Sequence, residues 1–164
     1  MKTAIYRARQ FFRGFRTTLA PHEIGLVHAR LSEAERELFD AMQAGDQRHS
    51  VDLALWLGPE ASDTLLTAAL LHDVGKGPVH VWDRIVFVLL GGLGDRARGW
   101  LEAERGGRFR RALWRLEHHA ALGAALLRAA GSSPRVVELV ERHTAAPPHD
   151  DEELSRLIAA DEAT

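Results

Sequence analysis

Apolar residues recur along this chain at helical rather than alternating spacing, and the turn residues between them divide it into successive helices with no convincing strand. No internal repeat is visible, so the expected fold is an all-α bundle. Met1 to Thr18 has helical character, with Ile5, Tyr6, Phe12 and Phe15 set against an arginine-rich side. Ser32 and Glu35 form a capping-box pattern for a helix through Met42, with Gly45 as its stop. Asp46 is the expected cap of the next helix, which would carry His49 in its first turn and run to Leu57 before Gly58-Pro59. Ser62 or Asp63 then starts a helix in which Leu65 to Leu71 is apolar on all sides. Such a helix belongs in the interior. It would place His72-Asp73 deep in the molecule, with Gly75 and Gly77 letting the backbone turn away from whatever sits there.

After Pro78 the pattern predicts a helix through Leu90, a break at Gly91-Gly92, and an arginine-rich charged segment from Asp95 to Arg111. His119 opens a helix of small residues, Gly123, Ala124 and Ala125, that stops at Gly131. Ser133-Pro134 reads as a cap followed by proline at the first helical position, starting a short helix that ends at His143. Asp150 or Asp151 caps the last helix, which carries Asp161.

Composition narrows the class without naming a function. The 164 residues are 46% hydrophobic and 27% charged, an ordinary globular chain large enough to bury a core. Its 21 basic and 23 acidic side chains nearly balance, so nothing overall argues for a nucleic-acid partner. With no cysteine there is no disulfide and no thiolate ligand, and any metal must be held by His and carboxylate. Arginines interrupt every apolar run in Met1 to Ala20, which is no secretory signal, and Ile85 to Leu93 falls short of the ~20 residues that cross a bilayer. A cytoplasmic location is expected. The basic, aromatic N-terminal segment reads most simply as aromatics on the core and arginines in solvent; the other reading is peripheral contact with an anionic membrane. For the apolar run Val86 to Leu90, a core helix or a homodimer contact explains as much as a membrane does.

The chemistry is concentrated in a scattered set of metal-ligand side chains. His72 and Asp73 are adjacent in His72-Asp73-Val74-Gly75-Lys76; His49 lies upstream, and His119, His143 and Asp161 follow. Of the nine histidines, His22, His28, His80, His118 and His149 fall outside this series. Imidazole nitrogen and carboxylate oxygen suit divalent Fe, Mn, Co, Ni or Zn, and four His with two Asp exceed what one tetrahedral ion needs. Two ions are the economical reading, and a carboxylate such as that of Asp73 has two oxygens with which to bridge them.

In order these residues spell H…HD…H…H…D, which resembles the HD superfamily of helical metal-dependent phosphohydrolases, in particular its branch with two extra histidines. The resemblance covers residues 46–164 and implies an HD domain there, with 1–45 as a helical extension packed on it. It implies that His49, His72, Asp73 and Asp161 form one metal site, and that His119 and His143 complete a second that shares Asp73. The HDxxK arrangement makes Lys76 a phosphate contact, and His80 and Arg84, just beyond, candidates to reach the same ligand. His118 or His80 is a candidate proton donor to the leaving oxygen. The implied activity is hydrolysis of a phosphomonoester or phosphodiester, a nucleotide or other small phosphate ester, at a centre of two divalent transition-metal ions, Fe or Mn first. Cyclic di-GMP is an unlikely substrate, because the HD-GYP signature is missing: His143 is followed by Thr144-Ala145-Ala146-Pro147-Pro148. Two rivals share the pattern, a di-iron oxygenase of the myo-inositol oxygenase type and a regulatory domain that keeps metal as a staple or sensor.

Overall fold

A computed structural model describes residues 18–77 and 107–164, and every regular element within them is helical. The order is α1 (Pro21–Arg30), α2 (Glu33–Asp40), α3 (Ala44–Leu57), α4 (Asp63–Leu71), a single 3₁₀ turn (Val74–Lys76), α5 (Arg108–Ala129), α6 (Pro134–Arg142) and α7 (Glu152–Ala163). The all-α expectation holds. The proposed N-terminal helix up to Thr17, the Pro78–Leu90 helix, the break at Gly91-Gly92 and most of the arginine-rich segment lie outside the described residues, as do His80 and Arg84.

α4 is the centre of the bundle. Every residue from Leu65 to Leu71 is buried, as the all-round apolar sequence requires. α1, α2, α3, α6 and α7 all pack on it. Val27 and Leu31 from the first helix and its exit, Phe39 from α2, Leu53 from α3, Leu127 from α5, Leu139 from α6 and Leu157 from α7 share one continuous apolar core with it. No described helix is long and apolar enough to cross a membrane.

The capping chemistry explains most of the boundaries. Ser32 accepts from the Glu35 amide while Glu35 reaches back to the Ser32 amide, the reciprocal box expected from their spacing. Ser62, Ser133 and Asp151 cap α4, α6 and α7 by accepting from the amides of Leu65, Val136 and Leu154. Gly58 and Gly131 end α3 and follow α5 with φ of 77° and 78°, a region that favours glycine.

Three local expectations give way. α2 stops at Asp40 rather than Met42, and Gly45 lies inside α3, whose N-cap is Gln43. Asp46 is therefore a buried first-turn residue and not the cap, and His49 stands in the second turn. Gln47 accounts for the early start: its amide donates to the Phe39 carbonyl at 2.9 Å and tightens the α2–α3 corner. His119 does not open a helix but sits midway along the 22-residue α5. The helix begins three turns earlier, at Arg108 with Gly107 as its N-cap, within the segment read as arginine-rich and charged.

Gly77 turns the chain as expected, with φ of 60°. Gly75 has a different purpose. Its φ is not positive, but a Cβ placed on it would run into the His119 carbonyl oxygen and lie 2.5 Å from the Gly123 amide nitrogen. The 3₁₀ turn is thus seated backbone to backbone on α5, with Gly123 the reciprocal small residue, 3.3 Å from the Gly75 nitrogen by the same construction. Neither backbone can yield cheaply. Gly75→Ala should lower stability by about 2 kcal/mol or more, whereas Gly25→Ala, at a helical position with open space around it, should raise it by about 0.5 kcal/mol. Denaturant midpoints of the two variants measure both; equal effects would show that the close approach at Gly75 is not a constraint.

Candidate metal centre

The end of α4 delivers the first two candidate ligands. Buried Leu70 and Leu71 carry the helix into the core, so His72 at the C-cap is fully buried and Asp73 is 2% exposed. α3 brings His49 and α7 brings Asp161, whose Oδ1 lies 2.9 Å from His49 Nε2. The same oxygen is 3.6 Å from His72 Nε2, and Asp73 Oδ2 is 3.4 Å from that nitrogen. On the other side, Asp73 Oδ1 is 3.5 Å from His119 Nε2 on α5. His119 Nε2 in turn lies 3.1 Å from His143 Nε2 at the C-cap of α6. All six candidate ligands therefore meet. Two overlapping groups, His49 with His72 and Asp161, and His72 with Asp73 and His143, each have ligand atoms within 4.8 Å of one another.

Backbone carbonyls decide which nitrogen of each ring points inward. His72 Nδ1 donates to the Ala69 carbonyl at 2.9 Å, His119 Nδ1 to Leu116 at 2.7 Å, and His143 Nδ1 to Val140 at 2.6 Å. Each acceptor is three residues upstream. A carbonyl can only accept, so each Nδ1 carries a proton and each Nε2 is the nitrogen turned toward the centre. Two consequences test whether a cation fits. Buried His72 Nε2 has no hydrogen-bond partner, which is costly for a buried polar atom. The His119 and His143 lone pairs face each other at 3.1 Å, an arrangement that requires a positive charge between them. The donor set fits a divalent ion of the Fe, Mn, Co, Ni or Zn series.

Electrostatics agree. Burial pushes both His119 and His143 down, His143 to about 4, so their lone pairs are available at neutral pH. Burial opposes charge on His72 as well, but the carboxylates of Asp73 and Asp161 prevail and push it up to about 10. Against their own burial, Asp73 is held well below the usual carboxylate range by His72 and Lys76, and Asp161 by its hydrogen bond with His49 and the nearby His72 ring. In the metal-free chain a proton on His72 occupies the place that a cation would take.

Lys76 ends the 3₁₀ turn with its ammonium paired to Asp73 Oδ2. His118 points elsewhere than its neighbour His119: it is exposed, stacked on Trp114 with ring centroids 4.6 Å apart, and its Nδ1 donates to the Trp114 carbonyl. Arg115 escaped the sequence reading, although it stands one helical turn before His119 on the same face of α5. Its guanidinium lies against Gly77, where a Cβ would strike it. The three carbonyl acceptors could not have been read from the sequence, because any residue supplies a carbonyl.

The His72 proton has a measurable signature. A histidine whose folded pKa is raised contributes stability that is complete below its unfolded pKa of 6.5 and is lost as pH rises toward about 10. The metal-free protein should accordingly lose melting temperature from neutral to alkaline pH. With an ion on Nε2 there is no proton to lose, and that alkaline decline should disappear. Parallel pH profiles with and without metal would remove His72 from the ligand set.

No curated protein and no solved structure gave a significant match to the chain. A family model described as the HD domain matches residues 36–163, which takes in α3 to α7 and all six clustered candidate ligands. That family consists largely of metal-dependent phosphohydrolases. Its match across most of the chain, over a helical bundle that gathers the His-Asp pair with its distant partners, establishes that this protein belongs to the HD domain family.

Proposed function

We propose that the protein hydrolyses a phosphomonoester or phosphodiester, a nucleotide or similar small phosphate ester, at a centre of two divalent ions. The observation that carries this reading is the disposition of Asp73. One of its oxygens faces His72 and the other faces His119, at 3.4 and 3.5 Å, so a single carboxylate addresses both halves of the ligand set. His49, His72, Asp73 and Asp161 would hold the first ion, and Asp73, His119 and His143 the second. Bound there, such a pair supplies a water of lowered pKa as nucleophile and neutralises the charge that builds up on phosphate oxygens.

The chain's own residues account for the remaining requirements. The Nδ1–H bonds to Ala69, Leu116 and Val140 keep three rings aimed inward without reorganisation. Burial of His72, Asp73 and His143 keeps bulk water off that side of the centre. Lys76, now paired with Asp73, would contact a non-bridging phosphate oxygen if a metal took up the Asp73 charge. His118, stacked on Trp114, does not join the centre, so His80 remains the candidate proton donor to the leaving oxygen, with Arg84 a candidate further phosphate contact. The near balance of charge favours a small-molecule substrate over a nucleic acid.

Elemental analysis after loading with Mn or Fe under reducing conditions should find two ions per chain. His119→Ala should leave about one, and Asp73→Ala none. At most one ion in the intact protein would defeat the dinuclear reading.

With Mn or Fe bound, the protein should cleave para-nitrophenyl phosphate or its bis-ester, and cyclic di-GMP should be a poor substrate. Lys76→Ala should lower kcat about ten-fold or more with metal content intact, in line with loss of a charge-stabilising contact. Uptake of oxygen with a polyol, and no ester cleavage, would instead favour the oxygenase chemistry that shares these ligands.

A further inference from the structure

Arg115 is exposed on α5, and no carboxylate among the described residues pairs with it. An unpaired surface arginine is ordinary, but the position of this one is not. Its guanidinium occupies the space beside Gly77 where any side chain would collide with it. Gly77 follows Lys76 directly, so the arginine fork lies against the residue next to the lysine. Along α5 it stands four residues before His119, about 6 Å of helix rise. The left-handed turn at Gly77, φ 60°, lets the backbone pass beneath the guanidinium. Two cationic side chains thus adjoin the Lys76-Gly77 backbone, one paired with Asp73 and one paired with no carboxylate among the described residues.

We infer that Arg115 is a substrate-binding residue that receives a second anionic group, adjoining the phosphoryl group at the metal centre, and so selects phosphate esters that carry one. This rests on the phosphohydrolase reading and deepens it by naming a substrate class: diphosphates and other esters with a neighbouring phosphate. Lys76 lies nearer the ligands through Asp73 and serves the reacting phosphate. Arg115, one turn of α5 farther out, meets the next group along the substrate. Guanidinium suits that role because its planar fork binds two phosphate oxygens at once, which an ammonium cannot do.

Calorimetric titration of the metal-loaded protein with inorganic phosphate and inorganic pyrophosphate tests the assignment, with metal content measured again after each titration to exclude stripping by pyrophosphate. The unaltered protein should bind pyrophosphate more tightly than phosphate by about ten-fold, the scale of a charge-assisted hydrogen-bond pair. Arg115→Ala should abolish most of that preference and Arg115→Lys should retain part of it, both with metal content and melting temperature of the unaltered protein. No preference in the unaltered protein, or a preference that survives Arg115→Ala, overturns the inference, as does equal weakening of both anions. Turnover of para-nitrophenyl phosphate by the unaltered protein is read separately: its absence would count against the phosphohydrolase reading, while the pyrophosphate preference still judges Arg115.

Discussion

A carboxylate with 2% exposure at the centre of the bundle is the constraint around which the rest is organised. Burying the charge of Asp73 without compensation is prohibitively costly, so the fold must surround it with positive charge and donors. His72, Lys76 and His119 do so from three directions. None of these partners can be removed without exposing the others to the same penalty, and the ring nitrogens left facing one another require a cation of their own.

That balance depends on helices remote in sequence reaching one point, and ordinary packing brings them there. α4 is anchored by burial on all sides, and its end fixes His72 and Asp73. The contact of Gly75 with the backbone of His119 and Gly123 then sets the depth at which α5 lies against the turn. A larger residue at either position would open the gap between Asp73 and His119. The same small-residue contact that reads as simple packing thus controls the distance across which one carboxylate can serve two groups of ligands.

Polar clamps on the periphery hold the outer helices to this frame. Buried Arg48, next to His49, pairs with Glu23 at 2.7 Å and Asp52 at 2.8 Å, and the guanidinium is the main reason that the Glu23 pKa falls to about 2. α1 is thereby tied to the helix that supplies His49. Glu35 accepts from Ser132 at 2.7 Å, joining α2 to the segment between α5 and α6. Arg135 reaches Glu138, Asp151 and Glu153, and so links α6, which positions His143, to α7, which carries Asp161. Exposed members of this last group contribute modestly one by one. Their value is orientation, since α6 and α7 each end or run at a ligand.

The helical class, the interior position of α4 and the caps at Ser32 and Ser133 were legible in the sequence, with Ser62 and Asp151 each one of two adjacent candidates, because local periodicity and capping chemistry are written residue by residue; the six clustered side chains stood out from the other histidines by their order, which resembles that of the HD family. The start of α3 was not: Gly45 and Asp46 carry strong local signals for a stop and a cap, and the tertiary corner closed by Gln47 overrode both. Nor was His119 placed midway along a long helix, because the charged, arginine-rich residues before it have no strong apolar face to mark them as helical. Whether Gly75 served a turn or a close approach was decided only by what lies opposite it. The inward aim of three imidazoles rests on backbone carbonyls, which have no residue type, and the position of Arg115 beside Gly77 rests on how α5 crosses the turn. Sequence determined which groups are present and which helices carry them; tertiary packing decided their distances and directions, because those follow from contacts between segments that no local pattern encodes.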